Sequence, residues 1–201
     1  MRRIATTVVA LVGTEASSWV DRLGRHVNVL GITTDADDPP LDRAVASWRR
    51  VVSGSNFTLL DIDPLHSVAD AWIRLFAPDA FGPDPPRGEV EVARSETLRR
   101  FAADAISMPD FYLVAGADEL DETRLHWYLG LLHGHAPARV VPVPADETSL
   151  VGALGRLGAG RWWPDPAELL AGVESVVPDQ VPWSRSTTAE NSSITSGPTV
   201  M

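Results

Sequence analysis

Apolar residues in this chain fall into short unbroken runs separated by stretches where they recur every three or four positions, and the two patterns alternate. Ile4 to Val12 is a continuous β-branched run, the mark of a strand buried on both faces. Ser17 or Ser18 is placed to cap a helix reaching Arg25, with Trp19, Val20 and Leu23 on its inner side. Val27 to Ile32 predicts a second strand, Leu41 to Val52 a helix and Phe57 to Ile62 a third strand. Between His66 and Phe76, Val68, Trp72, Leu75 and Phe76 share one side at helical spacing. A helix beginning at Ser95 turns Leu98, Phe101, Ala102, Ala105 and Ile106 inward and ends at Ser107-Met108-Pro109-Asp110. Phe111 to Ala115 is the fourth strand. Thr123 to His133 is a helix with Leu125, Leu129 and Leu132 on one face, and Arg139 to Val143 is the fifth strand. Weaker helical signals lie at Ser149 to Leu157 and Pro166 to Val176. Strands alternating with helices predict an α/β fold, a three-layer α/β/α arrangement around a mostly parallel, Rossmann-like sheet of about five strands joined by right-handed crossovers.

The same pattern sets the expected boundaries. One α/β domain spans residues 1–183, since 201 residues give one substantial core and not two. Pro78, Pro83, Pro85 and Pro86 crowd with Gly82 and Gly88 between Ala77 and Gly88, which predicts a long surface loop over residues 77–88. Ser184 to Met201 is rich in Ser and Thr with little to bury, and reads as a disordered tail over residues 184–201. Met1-Arg2-Arg3 before an apolar run has the outline of a secretory signal, but Thr6 and Thr7 interrupt the run and a helix follows at once. The reading is a first strand in a cytoplasmic protein, with a secretory signal as the alternative. No run has the ~18 apolar residues of a membrane span.

Composition removes whole classes of chemistry. All 17 basic residues are Arg, and Lys and Cys are both absent. Without Lys there is no phosphate-loop lysine, no Schiff base and so no pyridoxal phosphate; without Cys there is no thiolate nucleophile, disulfide or Cys-ligated zinc. Carboxylate, histidine, arginine and hydroxyl groups remain. A net charge of −10 argues against nucleic acid as a partner. The basic pairs Arg2-Arg3, Arg49-Arg50 and Arg99-Arg100 lie near acids and form no stripe.

In a parallel sheet, ligands bind beyond the carboxyl ends of the strands, and acids gather there. Strand two ends at Asp35, Asp37 and Asp38; strand three at Asp61 and Asp63; strand four at Asp118, Glu119, Asp121 and Glu122. Converging carboxylates need a cation or a held proton. One reading is a Mg²⁺ or Mn²⁺ site for a phosphorylated substrate; the other is that Asp is simply a common turn residue. The turn Gly13-Thr14-Glu15-Ala16-Ser17-Ser18 can offer helix N–H groups to an anion but is not the dinucleotide pattern G-x-G-x-x-G. His133 and His135 sit beyond a helix end, where the dipole favours them. Trp162-Trp163-Pro164 reads as packing, with a stacking platform for a sugar or base as the alternative.

Leu60-Asp61-Ile62-Asp63 resembles the aspartate pair of haloacid-dehalogenase phosphatases, though with Leu65 two places after the second Asp and without the family's lysine. A longer stretch, Arg94 to Leu132, resembles the nucleotide-sugar half of glycosyltransferases with the GT-A fold. Arg100 precedes a small-residue helix end, Phe101-Ala102-Ala103-Asp104-Ala105. The strand Phe111-Tyr112-Leu113-Val114 follows, then the turn Gly116-Ala117-Asp118-Glu119-Leu120. Gly116 stands where the family's first turn Asp belongs, and the first-strand turn lacks the family's Pro and Asn. The resemblance implies that Asp118 holds a divalent metal, Mn²⁺ or Mg²⁺, on the diphosphate. Asp35, Asp37, Arg100 and Glu119 would then contact a nucleotide-sugar. A metal and an Arg suit this chemistry because the leaving nucleoside diphosphate gathers negative charge. The function expected is thus a metal-dependent glycosyltransferase-like protein. The alternatives are another α/β enzyme acting on a phosphorylated metabolite, and a non-catalytic domain that binds a protein partner.

Overall fold

The structure is a computed structural model that describes residues 6–76, 87–158 and 160–176. Most of the expected proline-rich loop, the expected tail and the first five residues lie outside these. Five parallel strands form one sheet in the order β2-β3-β1-β4-β5: β1 Thr7–Val12, β2 Val29–Ile32, β3 Phe57–Leu60, β4 Phe111–Ala115 and β5 Val140–Val143. The expected parallel α/β fold is what forms. β1 is central, with Val9 paired to Leu59 on one side and to Phe111 on the other.

Alternation along β1 explains the layers. Val9 and Leu11 pack against Trp19, Val20 and Leu23 of α1 (Ala16–Leu23) and Leu150, Ala153 and Leu154 of α7 (Glu147–Leu154). Ala10 and Val12 face the opposite layer, built from α3 (His66–Phe76), α4 (Arg87–Ala102) and the segment after α5 (Glu122–Leu125). The helix α2 (Pro40–Arg50) sets Leu41, Ala44 and Val45 on Ile62 and Ile106. A strand with no exposed side must be apolar throughout, which is why β1 and β4 carry unbroken runs. Close contact between α1 and β2 depends on Gly31: a Cβ there would lie 2.5 Å from the Val20 carbonyl oxygen.

Several boundaries differ from expectation, each for a physical reason. Ser17 and Ser18 do not cap α1. The helix starts at Ala16 with Glu15 at the cap position making no side-chain bond, and the Ser17 hydroxyl instead donates to Asp61. β2 begins at Val29 because Asn28 turns the backbone at φ 65° and leaves Val27 88% exposed. β3 ends at Leu60, and the Asp61 amide still bonds to the Ile32 carbonyl of β2 at 3.3 Å. α4 begins at Arg87, eight residues before Ser95. Its first half has little apolar periodicity and is held instead by Arg94–Glu91 and Arg74–Glu89 pairs. Gly88 therefore belongs to a helix and not to the loop. Residues His126–Leu132 form a π-helix that continues α5, so all seven are buried rather than only one face, and α6 (His133–His135) closes it. Arg139 belongs to a 3₁₀ turn before β5. α8 (Pro166–Leu169) and a 3₁₀ turn at Val173–Ser175 replace the last long helix.

Trp163 has a packing role, and Trp162 is 45% exposed. Trp163 is buried, donates from Nε1 to the Pro109 carbonyl at 2.7 Å and meets Tyr112 edge-on. Trp162 covers the Arg139 guanidinium at 4.2 Å. Arg139 itself is buried and donates to the carbonyls of Arg161, Asp110 and Gly160.

Candidate functional site

The connection leaving β1 runs toward β2 and that leaving β4 toward β5, so the two connections part at the adjacent carboxyl ends of β1 and β4. Divergence of this kind opens a crevice in parallel sheets. A cleft of about 310 Å³ lies here, bordered by Gly13 and Thr14 after β1, Asp61 and Asp63 after β3, and Glu119, Asp121, Arg124 and Tyr128 after β4. That is the low end of small-ligand size. Gly13 permits the geometry: its φ is 155°, and a Cβ would lie 2.6 Å from the Ala115 carbonyl oxygen. A roomier hollow of about 420 Å³ at the amino ends of β2 and β3 has His26 as its single titratable lining residue. Convergent polar groups mark the first cleft, not the second.

Its floor is two buried carboxylates with different surroundings. Asp61 accepts from the Ser17 hydroxyl at 2.9 Å and from both the amide and the hydroxyl of Thr34 at 3.1 Å, with Arg43 at 3.5 Å. It therefore ties α1, the end of β2 and α2 to the end of β3. Asp63 Oδ1 accepts from the Tyr112 hydroxyl and the Leu65 amide, each at 2.7 Å, and Oδ2 accepts from the Tyr128 hydroxyl at 3.0 Å. Burial pushes the Asp63 carboxyl above its ordinary range, against the bonds from Tyr112, the Leu65 amide and Tyr128 and the attraction of His66. Burial and the Asp63 charge likewise push both tyrosine hydroxyls well up, so they remain donors. The π-helix supplies Tyr128, in keeping with the frequent placement of such segments at functional sites.

One wall carries a chain of paired side chains. His66 Nε2 lies 3.0 Å from Asp70 Oδ2, Arg124 Nη2 is 3.1 Å from Asp70 Oδ1, and Arg124 Nε is 3.4 Å from Asp121 Oδ2. Burial works against the Asp70 charge, but the bond from His66 and the charges of His66, Arg124 and Arg74 hold its carboxyl below the usual range. Asp121 also caps α5 by accepting from the Arg124 amide at 2.8 Å. Opposite, Glu119 accepts from the Thr14 hydroxyl at 3.2 Å.

The residues expected from sequence do not all meet. Asp35 and Asp37 lie exposed in the turn after β2, where Asp35 accepts from the Asp37 amide. Arg100 pairs with Asp42 of α2 and with Glu96 one turn earlier on α4. Asp118 is exposed in a 3₁₀ turn, and its neighbour Glu119 borders the cleft. Of these five, Glu119 alone lines the cleft among the described residues. His66, Asp70, Arg124, Tyr112 and Tyr128 were not anticipated. His66 and Asp70 had a usable signal, an i,i+4 spacing on the helix that follows Asp63 directly. The tyrosines had none, because each sits in an apolar run.

No protein-family model, curated protein or solved structure matches this chain. Its chemistry is therefore read from the cleft.

Among the described residues no group of three or more His, Asp or Glu side chains is placed to hold a metal ion. Asp61, Asp63 and Asp121 are each taken up by protein donors. These residues do not fit a resident, protein-caged metal. Glu119 is exposed and accepts from the Thr14 hydroxyl.

Proposed function

We propose that this chain is a transferase-like α/β protein that takes a phosphorylated small molecule, a nucleotide-sugar being the first class to test, in the cleft between β1 and β4. The observation that carries the reading is the meeting, at the divergence of the crossovers, of the Gly13-Thr14 turn, the Asp61–Asp63 floor and the Glu119–Arg124 rim. Arg124 lines the cleft while paired with Asp70 and Asp121, and the first turn of α1 borders the same space with Ala16, whose amide end favours an anion. Glu119 would repel a bare phosphate, so binding through it requires the divalent cation. In this reading Glu119 takes the place expected for Asp118.

The test is a thermal-shift titration of the full chain with Mg²⁺ or Mn²⁺, alone and with UDP-, GDP- and TDP-sugars. A ligand at about 100 times its dissociation constant adds roughly 2.7 kcal/mol of stability. The expected result is a rise that needs both cation and one nucleotide, and that Glu119→Gln reduces. A second reading, a non-catalytic partner-binding domain, has its own support: the cleft carboxylates already have internal partners and need no ligand to be stable. Silence to every combination, with a protein recovered by co-purification, would favour that second reading.

A further inference from the structure

The helix leaving the cleft floor opens with a histidine. His66 begins α3, its amide bonded to the Asp63 carbonyl at 3.0 Å, and it lines the cleft. An i,i+4 His–Asp pair on a helix is by itself an ordinary contact. Arg124 sets this one apart, because it comes from a different element and grips the other oxygen of Asp70. Asp70 is held as a carboxylate from two directions, and the imidazole is aligned against it. A carboxylate only accepts, so in the neutral ring Nε2 carries the hydrogen and Nδ1 the lone pair. Pairing of this kind fixes the tautomer of an imidazole and steadies the cation formed when it takes a proton.

We infer that His66 is the general base of this cleft, positioned by Asp70, and that it deprotonates the hydroxyl that attacks a phosphorylated donor. The inference rests on the reading of the cleft as a donor site. In the step, the acceptor oxygen bonds to the anomeric carbon of the sugar and its proton passes to Nδ1 of His66. The bond from that carbon to the phosphate oxygen breaks, and its electron pair leaves on the nucleoside diphosphate. The imidazolium lies 3.0 Å from Asp70 and is attracted by Asp63, with Asp121 and Arg124 lining the same cleft. Release of the proton to water restores the base.

The test uses the full chain and whichever nucleotide-sugar and cation raise its melting temperature, with water as acceptor and nucleoside diphosphate release as readout. His66→Gln should lower kcat on the order of 100-fold or more while KM changes little, the size expected for loss of a general base. Asp70→Asn should also lower kcat with little change in KM, a split that a merely structural role would not cause. Long-range ¹⁵N NMR of His66 should show hydrogen on Nε2 without any donor present. Undiminished release by His66→Gln, a wild type that binds a donor without releasing product at any pH, or a ring carrying hydrogen on Nδ1 would each overturn the assignment. A wild type whose melting ignores every donor would instead overturn the donor-site reading, so the two failures are distinct.

Discussion

Replacing Asp63 with asparagine should stabilise the protein increasingly as pH rises. The carboxyl is buried on the cleft floor, and burial raises its ionisation above the ordinary value of 3.8 despite the opposing bonds from Tyr112, the Leu65 amide and Tyr128 and the pull of His66. In the window between the unfolded and the folded value, the folded chain holds a proton that the unfolded chain has lost. Unfolding free energy therefore falls with rising pH across that window and levels off above the folded value. A single group can contribute a slope of at most about 1.4 kcal/mol per pH unit. Asparagine keeps the shape without a charge to bury. Its carbonyl can stand at Oδ1 and accept from Tyr112 and the Leu65 amide, and its amide can donate to Tyr128, whose hydroxyl turns from donor to acceptor. The bonds survive and the charge cost disappears. Urea unfolding of both proteins from about pH 4.5 to 8.5 measures this, and their difference removes contributions from groups that titrate alike in both. The difference should grow with pH and then level off. A pH-independent difference, or a loss of roughly 3 kcal/mol or more as when a buried ion pair is broken, would refute the reasoning.

Two further substitutions test how the scaffold holds the site. Arg139→Met strips the donors from the carbonyls of Arg161, Asp110 and Gly160, each 2.7–3.0 Å from the guanidinium. It should cost roughly 3 kcal/mol or more in urea unfolding, with Arg139→Lys recovering little because an ammonium cannot span the three acceptors; a cost under about 1 kcal/mol would show that these bonds are not holding the segment. Gly13→Ala forces a Cβ onto the Ala115 carbonyl and should lower stability by about 2 kcal/mol, while Gly134→Ala, with nothing within 4 Å, should raise it by up to about 1 kcal/mol. Thermal melts of the pair check the contrast, and equal effects would mean that the β1 turn is not as close to β4 as described.

What could be read in advance follows from how each element is stabilised. β1 and β4 are buried on both faces, so burial alone dictates their composition and their runs announce them. α3 shows its stripe because one side meets the core, with Val68, Ala69, Ala71 and Trp72 buried. The first half of α4 gives no such signal: Val90 is buried but Val92 is 70% exposed, and ion pairs replace the apolar face. Ser17 illustrates a different failure. A serine ahead of a helical pattern is a sound capping signal, but a buried carboxylate from another strand offers its hydroxyl a better partner. Tyr112 and Tyr128 were hidden for the opposite reason, since their rings satisfy the apolar pattern and only their hydroxyl tips reach Asp63.

The residues expected from sequence are spread apart because chain order is not spatial order. The GT-A resemblance implies that Asp35 and Asp37, after strand two, contact the nucleotide-sugar. In the sheet, β3 lies between β2 and β1. Asp61 and Asp63 are thereby brought beside Gly13 and Thr14, while Asp35 and Asp37 are carried outward by a full strand to the edge, a spacing of about 4.8 Å per step. The same inversion explains Arg100. α4 packs against α3 and pairs with α2, which keeps its guanidinium on Asp42 and away from the turn after β4. Position beyond the β1, β3 and β4 ends, not acidity, decides which groups can reach one ligand. Those positions select Glu119, Arg124 and His66, the three side chains on which the proposed chemistry depends.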